Sequence, residues 1–231
     1  MLKEERQQII LNELHEFGKV MVNDLSDKFS ISKDTVRRDL NELEEKCMVR
    51  RVFGGALPYN LPVPDYNQRE RVNRSKKYEM AKEGLKYINE GQFIVLDGGS
   101  TNKMLASIIP INYKLTILTN SFPIANELRN HVNVKVILLG GDYLNESLTT
   151  VGEIAVEQAS RYNPDVCFLG VYAVDKKYGI TAPYLEEVSI KRKFVEISDT
   201  TIALSTQEKI KRKSKYKICD YDEISMIITD E

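Results

Sequence analysis

The chain has 231 residues, of which 42% are hydrophobic and 29% charged, and its formal net charge at pH 7 is −1. This length accommodates a small domain and a second domain with a core of ordinary size. The near-zero net charge excludes a chain that is basic as a whole, so any nucleic-acid surface must be local. No apolar run approaches the roughly 20 residues that cross a bilayer. Because the start, MLKEERQQ, lacks the apolar core of a secretory signal and the three cysteines are widely spaced, we expect a cytoplasmic protein with reduced, buried thiols and no membrane partner.

Residues 1–57 are predicted to form a compact, mainly helical unit. An apolar stripe predicts a first helix that ends at Gly18. Asn23 is predicted to cap a second, short helix, and Ser32 a third, longer one. Two helices joined by a short turn form a helix-turn-helix. The basic, β-branched stretch 48–56 ends in glycines and predicts a β-hairpin wing.

The third helix carries its arginines in its first turns and its glutamates in its last turns, which opposes the helix dipole. Its apolar stripe consists of Val36, Leu40, Leu43 and Cys47, so Arg38 points away from the core. The charges alone fit a solvated helix face equally well, but the helix-turn-helix spacing and the basic wing favour a helix in the DNA major groove. Arginine contacts to DNA outweigh the dipole cost of about 0.3–1 kcal/mol per charge. The predicted DNA-binding residues are Ser32, Lys33, Thr35, Arg37, Arg38, Arg50 and Arg51.

The run TVRRDL (residues 35–40) and its continuation NELEEKCMVRRVFGGA follow Arg6, Ile10 and Leu14 at a fixed spacing. This combination resembles the N-terminal domain of the DeoR family of bacterial transcriptional regulators. The resemblance implies sequence-specific binding to a double-stranded DNA operator, usually as a repressor. It also implies that the helix-turn-helix covers about residues 20–39.

The remainder of the chain is predicted to consist of a linker and an α/β domain. Residues 58–74 are predicted to be the linker, because prolines are dense in its first half and the stretch 66–74 is charged. Over residues 75–231, six short β-branched runs alternate with helical patterns. This alternation predicts a mostly parallel sheet flanked by helices, in which ligands bind beyond the carboxyl ends of the strands.

Small, glycine-rich or hydroxyl residues follow five of the six predicted strands. Residues 98–101 also open a helix, whose N-terminus can hold an anion, and Lys209 can add a point charge. Each loop alone fits an ordinary strand-to-helix turn, but their recurrence on one edge favours a pocket for a small phosphorylated or polyhydroxyl ligand. The predicted effector-binding residues of these loops are Asp97, Gly98, Gly99, Ser100, Thr101, Thr119, Asn120, Ser121, Gly140, Gly141, Gly170 and Lys209. The resemblance to the DeoR family, which extends over this half, adds Glu187 and Lys191 to the predicted effector-binding residues.

The resemblance to the DeoR family extends over this half through DGGST, TNSFPIA, ILLGG, FLGV, the pair Glu187 and Lys191, and the terminal IITD. It implies an effector-sensing domain akin to sugar-phosphate isomerases, with a phosphorylated sugar as effector and neither a cofactor nor a metal. Two segments depart from the family pattern. The sequence GVYAV (170–174) replaces Gly-x-Asp/Asn-Gly-Ile, and TQEK (206–209) replaces Asp-Ser-Ser-Lys, which retains the lysine but loses the acidic residue. The identity of the sugar therefore stays open.

These observations predict a repressor of a carbohydrate-utilisation operon, a homodimer or homotetramer whose operator affinity is controlled by a sugar phosphate. One alternative is a DNA-binding regulator controlled by a protein partner or a non-sugar ligand. The other is a sugar-phosphate isomerase with Asp97 or Glu187 as its base, which the predicted winged helix-turn-helix disfavours. The basic run KIKRKSKYK (209–217) is predicted to be one ligand lysine followed by a solvated segment.

Overall fold

The computed structural model describes residues 1–46, 48–58 and 65–230, so Cys47 and residues 59–64 of the predicted linker lie outside the described residues. The chain divides into two compact units, Met1–Val63 and Pro64–Glu231. Within the described ranges, no helix has the length and apolar content needed to cross a membrane.

The first unit is a helix-turn-helix with a β-hairpin wing, as predicted. Its three strands form one antiparallel sheet in the order β1-β3-β2. Its elements are α1 (Lys3–Phe17), β1 (Val20–Met21), α2 (Val22–Phe29), α3 (Lys33–Glu45), β2 (Val49–Val52) and β3 (Gly55–Pro58).

The helix boundaries of this unit follow from capping, with one correction. The Ser32 side chain accepts a hydrogen bond from the Thr35 amide at 3.2 Å, so Ser32 caps α3 as predicted. The prediction that Asn23 caps α2 is wrong, because α2 begins at Val22 directly after β1. The Val22 amide donates to the Gly54 carbonyl at 2.8 Å, so the wing turn satisfies a helix-start donor that a side-chain cap would otherwise satisfy.

The apolar stripes of the three helices meet in one core, which includes Ile10, Leu25, Val36 and Leu40. A buried ion pair between Arg6 of α1 and Asp39 of α3 adds a charged tie between these helices. The C-terminal glutamates of α3 hold neighbouring elements. Glu42 accepts from Lys3 at 2.6 Å and from Gln7 at 3.1 Å, both in α1. Glu44 accepts from the Arg51 amide in the wing at 2.7 Å.

The second unit contains six helices and eleven strands within residues 65–230. The helices are α4 (Tyr66–Arg71), α5 (Arg74–Leu85), α6 (Ser100–Ile108), α7 (Phe122–Glu127), α8 (Glu153–Ala159) and α9 (Glu186–Ile197). The strands are β4 (Phe93–Leu96), β5 (Leu115–Thr119), β6 (Val134–Leu138), β7 (Asp142–Leu144), β8 (Thr149–Val151), β9 (Val166–Gly170), β10 (Ala173–Asp175), β11 (Gly179–Ala182), β12 (Thr200–Ser205), β13 (Tyr216–Cys219) and β14 (Met226–Thr229). Short 3₁₀-helices occur at Leu128–Asn130, Gln207–Lys209 and Tyr221–Glu223.

The six predicted strands form one parallel sheet in the order β14-β12-β9-β4-β5-β6. The chain fills one side of the sheet through β4, β5 and β6, and then returns to fill the other side from β9. The strand order therefore reverses between β4 and β9. In open α/β sheets such a switch point opens a crevice at the carboxyl ends of the two strands, where ligands bind.

Helices and a smaller sheet cover the two faces of this sheet. On one face, Ile94 and Leu96 of β4 pack with residues of α5, α6 and α7. On the other face, Val95 packs with residues of α8, α9 and an antiparallel sheet of order β10-β11-β13. Neighbouring β4 residues thus enter opposite cores, as the two-residue period of a strand requires. The thiols of Cys167 and Cys219 are free and buried in the second core.

Three segments differ from the sequence-based expectations. Tyr66–Arg71, placed in the predicted linker, is helix α4. Val151, placed at the start of a helix, instead ends β8 in a hairpin with β7. The basic run 209–217 is only in part a solvated segment: Lys211, Lys215 and Lys217 are exposed, but the rest of the run is half-buried and its end forms the start of β13. Helix α4 and strand β13 make contacts with distant parts of the chain, whereas β8 pairs with β7 across a short turn.

Candidate effector and DNA-binding sites

Asp97 lies at the switch point of the sheet, directly after β4, and its side chain is fully buried. Its Oδ1 accepts from the Gly98 amide at 2.8 Å. Its Oδ2 accepts from the Gly170 amide at 2.8 Å and from Lys191 Nζ at 2.5 Å. The Lys191 ammonium also donates to the Gly170 carbonyl at 2.9 Å. Asp97 therefore connects the carboxyl ends of β4 and β9 with helix α9.

The charges of this group stabilise one another. Burial raises the pKa of Asp97, and the positive charge of Lys191 opposes this shift. Burial lowers the pKa of Lys191, but the charges of Asp97 and Glu187 more than offset it, so that pKa lies above its ordinary value. Lys191 is consequently charged at neutral pH. Replacing only one partner of such a buried, hydrogen-bonded ion pair destabilises a protein, because the other charge stays buried without compensation.

The end of β5 adds polar groups next to this ion pair. Thr119 Oγ1 donates to the Leu96 carbonyl at 2.6 Å, and Asn120 Nδ2 donates to the Thr150 carbonyl at 3.0 Å. Asn120 Oδ1 accepts from the Gly98 amide at 3.3 Å. The Ser121 hydroxyl is fully buried and has no hydrogen-bond partner among the described residues. A buried hydroxyl without a partner is costly, and a polar ligand atom would satisfy it.

Two glycines allow close packing at this point: Gly170 lets β9 approach the backbone that follows β4, and Gly98 lies against Thr149 of β8. A Cβ atom on Gly170 would lie 2.1 Å from the Gly98 carbonyl oxygen and 3.0 Å from Asp97 Oδ2. A Cβ atom on Gly98 would lie 2.3 Å from the Thr149 methyl group. Both positions therefore exclude a side chain.

Residues 98–101 lead into α6, which begins at Ser100 with Gly99 in the N-cap position. The Gly99 φ angle of +152° is one that other residues rarely adopt. Ser100 is partly exposed, whereas Thr101 is 9% exposed. The first amides of a helix lack intrahelical acceptors and carry partial positive charge, which favours an anion.

Lys209 and Glu187 lie in the same region. Lys209 Nζ donates to the Val171 carbonyl, next to Gly170, at 2.9 Å. Burial lowers the pKa of Lys209 to about 8, and the positive charges of Arg69 and Lys77 contribute to this shift. Glu187 precedes Lys191 by one turn of α9 and is 9% exposed. The structure thus gathers cations around the switch point.

Gly140 and Gly141 contact other parts of the structure. The Gly140 amide donates to Gln158 Oε1 in α8 at 2.8 Å. A Cβ atom on Gly141 would lie 2.4 Å from the Val151 carbonyl oxygen. Packing against β8 and α8 is sufficient to explain both glycines, and a role in effector binding stays a prediction for them.

The predicted DNA-binding residues lie on two neighbouring elements of the first unit. On α3, Ser32, Lys33, Arg37 and Arg38 are exposed, and Thr35 is half-buried. Arg37 forms an ion pair with Asp34 at 2.7 Å, and Arg38 Nε lies 3.4 Å from the Asp34 carbonyl. These contacts are local to the first turns of the helix and leave its polar face open to solvent.

The wing contributes Arg50, Arg51 and an exposed aromatic ring. Arg51 donates from its side chain to Asn41 and from its amide to Glu44, so it fastens the wing to α3. Arg50 is half-buried. Phe53, at the tip of the hairpin, is fully exposed. The sequence analysis did not select Phe53, although its position beside a predicted Gly-Gly turn was a usable signal.

The sequence analysis also missed α4, which brings Tyr66 and Arg69 to the second unit. Tyr66 is 2% exposed, and the Arg69 guanidinium lies 5.8 Å from the centre of its ring. An aromatic residue at a fixed spacing from an arginine, inside a charged segment, was the available signal. The charge of this segment instead assigns it to the predicted linker, residues 58–74.

The fold and both sites define a class of protein, namely a winged helix-turn-helix DNA-binding regulator joined to a doubly wound α/β ligand-binding domain. Comparison with known families identifies the particular one. Residues 6–59 match the DeoR-like helix-turn-helix domain, and residues 72–231 match the DeoR C-terminal sensor domain. The chain therefore belongs to the DeoR family of transcriptional regulators.

Several curated proteins are similar over nearly their whole length. The HTH-type transcriptional regulator GlpR of Haloferax volcanii is 32% identical, over 100% of this chain and 91% of its own. The HTH-type transcriptional repressor GlcR of Bacillus subtilis is 28% identical, over 100% of this chain and 89% of its own. The glycerol-3-phosphate regulon repressor of Haemophilus influenzae is 28% identical, over 98% of this chain and 89% of its own. These relatives are named as regulators, which agrees with the expectation that the chain is not an enzyme.

Proposed function

We propose that this DeoR-family regulator represses a carbohydrate-utilisation operon and that a phosphorylated sugar, bound at the switch point between β4 and β9, controls its affinity for the operator. The observation that carries the proposal is the arrangement around Asp97. The ion pair with Lys191 fixes the two strand ends, and the α6 N-terminus and Lys209 offer positive charge next to polar groups.

The polar groups suit the sugar part of such a ligand. The buried Ser121 hydroxyl has no partner among the described residues, and Asn120 and Thr119 lie beside it in sequence. Hydroxyl and amide groups of this type bind the hydroxyl groups of a polyol. The relatives named as a GlcR repressor and as a glycerol-3-phosphate regulon repressor support control of carbohydrate genes.

The DNA-binding unit would contact the operator through α3 and the wing. Arg37 and Arg38 would face the major groove, and Arg50 and Arg51 would lie near the phosphate backbone. A symmetric homo-oligomer would place two such helices on the half-sites of one operator. A coupling free energy of about 1–3 kcal/mol between effector and operator would change operator affinity about 5- to 150-fold.

A gel-shift titration tests this proposal. The protein is titrated on DNA from upstream of its own and neighbouring genes, with and without a panel of sugar phosphates and the corresponding free sugars. We expect a sequence-specific shift that one sugar phosphate relieves and its free sugar does not. A specific shift that no sugar phosphate alters would refute the effector part and favour control by a protein partner or another ligand.

A further inference from the structure

Helix α4 is held firmly against the body of the second unit. Asp65 caps it by accepting from the Gln68 amide at 2.8 Å. At its other end, the buried Lys77 of α5 donates to the carbonyls of Arg69 and Val72, the latter at 2.7 Å. The ring of Tyr66 is buried. These contacts give Arg69, in the last turn of the helix, a defined position.

Arg69 reaches the strand-end region through its guanidinium group. Arg69 Nη2 donates to the Glu146 carbonyl at 3.0 Å. Glu146 belongs to the turn between β7 and β8. The start of β8 carries Thr149, whose methyl group lies against Gly98. Arg69 is therefore connected, through one short turn, to the loop that opens α6.

The guanidinium is incompletely satisfied in this position. It has five N–H donors, and its Nε is buried without a hydrogen-bond partner among the described residues. Among the described residues, Arg69 forms no ion pair, and the neighbouring Glu70 pairs with Lys103 instead. Arg69 as a whole is half-buried, but a buried Nε donor without an acceptor is costly.

Other cations surround the same space. Lys209 Nζ lies at the Val171 carbonyl, next to Gly170. Burial lowers the pKa of Lys209, the charges of Arg69 and Lys77 lower it further, and the charge of Glu208 opposes this shift. Asp97 neutralises Lys191. Arg69, Lys77 and Lys209 remain as cations that repel one another, with Glu208 as an opposing charge, and an anion between Arg69 and Lys209 would reduce this repulsion.

We propose that Arg69 binds the anionic group of the effector together with Lys209 and the loop 98–101, so that helix α4 belongs to the ligand site. This inference rests on the function proposed above. The planar fork of a guanidinium suits a phosphate, to which it can donate two parallel hydrogen bonds. The effector is thus a phosphate ester, or another compact dianion, with its anionic group next to α4.

The test uses the full-length protein, inorganic phosphate as a first probe, and then the sugar-phosphate panel. Arg69→Gln removes the charge, and Arg69→Lys keeps the charge but removes the fork. Arg71→Gln is the matched control, because Arg71 lies in the same helix and is exposed. Phosphate affinity is measured by calorimetry, and operator binding by gel shift.

We expect Arg69→Gln to weaken phosphate binding about 10- to 100-fold, as for the loss of a charge-assisted hydrogen bond. The phosphate affinity of Arg69→Lys should lie between those of Arg69→Gln and the wild type. The phosphate affinity of Arg71→Gln should equal that of the wild type. Operator affinity without effector should be unchanged in all three. If Arg69→Gln does not fold, Arg69→Lys provides the same comparison with the charge retained.

The outcomes separate this inference from the proposed function. If the wild type responds to a sugar phosphate and the Arg69 variants respond equally well, Arg69 is not a ligand, whereas the proposed effector class stands. If the wild type binds neither phosphate nor any sugar phosphate, both proposals fail.

Discussion

Replacement of Asp97 by asparagine should strongly destabilise the second unit. Asparagine has nearly the same shape as aspartate but carries no charge, so the buried Lys191 cation would lose its hydrogen-bonded counter-ion, while the charge of Glu187 would remain nearby. Lys191 is 5% exposed and lies 2.5 Å from Asp97, so water can replace little of the lost interaction. Removing one partner of a buried ion pair costs about 3–5 kcal/mol.

The melting temperature of the second unit reports this loss. For a domain of 150–250 residues, 1 kcal/mol corresponds to roughly 2–4 °C. We therefore expect the Asp97→Asn variant to melt about 6–20 °C below the wild type in a thermal unfolding experiment followed by circular dichroism. Effector binding should be lost with it, because Asp97 also holds the Gly98 and Gly170 amides.

A double-mutant cycle tests the physical reason. Lys191→Met removes the buried cation and leaves a side chain of similar length, so the double variant Asp97→Asn/Lys191→Met contains no uncompensated charge. It should recover much of the stability that Asp97→Asn loses, since apolar replacement of both partners of a buried pair is often nearly neutral. A loss below about 1 kcal/mol for Asp97→Asn, or a double variant less stable than both single variants, would refute the argument.

Three further predictions concern the two sites. Arg38→Ala should weaken specific operator binding about 5- to 150-fold in a gel shift, without a change in melting temperature. As a control, Lys46→Ala, at the exposed far end of α3, should weaken operator binding less in the same gel shift. Burial lowers the pKa of Lys209 to about 8, and a bound anion favours its charged form, so phosphate binding above this pH takes up a proton. Calorimetry from pH 7.5 to 9.5 should therefore show that the phosphate affinity falls by up to about tenfold per pH unit. A phosphate affinity that does not depend on pH would exclude Lys209 as a ligand. Gly170→Ala should destabilise the protein by about 1–3 kcal/mol or more in thermal unfolding, because the added methyl group would meet backbone atoms. Gly140→Ala should destabilise it far less, because its methyl group would meet only the Gln158 side chain at 3.4 Å. Equal losses of stability in the two variants would contradict the close approach of β4 and β9.

Local patterns in the sequence were sufficient to predict the elements whose stability is largely local. Ser32 caps α3 because a cap depends on residues three positions apart, and Gly18 ends α1 in a left-handed conformation for a similarly local reason. The β-branched runs of the six parallel strands are buried on both faces, so their composition identifies them directly. Asp97 could be selected on the same basis because it follows a buried strand, whereas Lys191, inside helix α9, was selected through the family resemblance.

Only the tertiary structure decided how these elements combine. The sequence contains no local signal for the reversal of strand order between β4 and β9, yet this reversal brings Asp97 to Gly170, 73 residues away, and to Lys191, 94 residues away. Helix α4 and strand β13 escaped detection because each is stabilised by distant partners, such as Lys103 and Glu146 for α4 and β11 for β13. Composition and periodicity report the environment of one segment, whereas a binding site depends on contacts between segments that close long loops of chain.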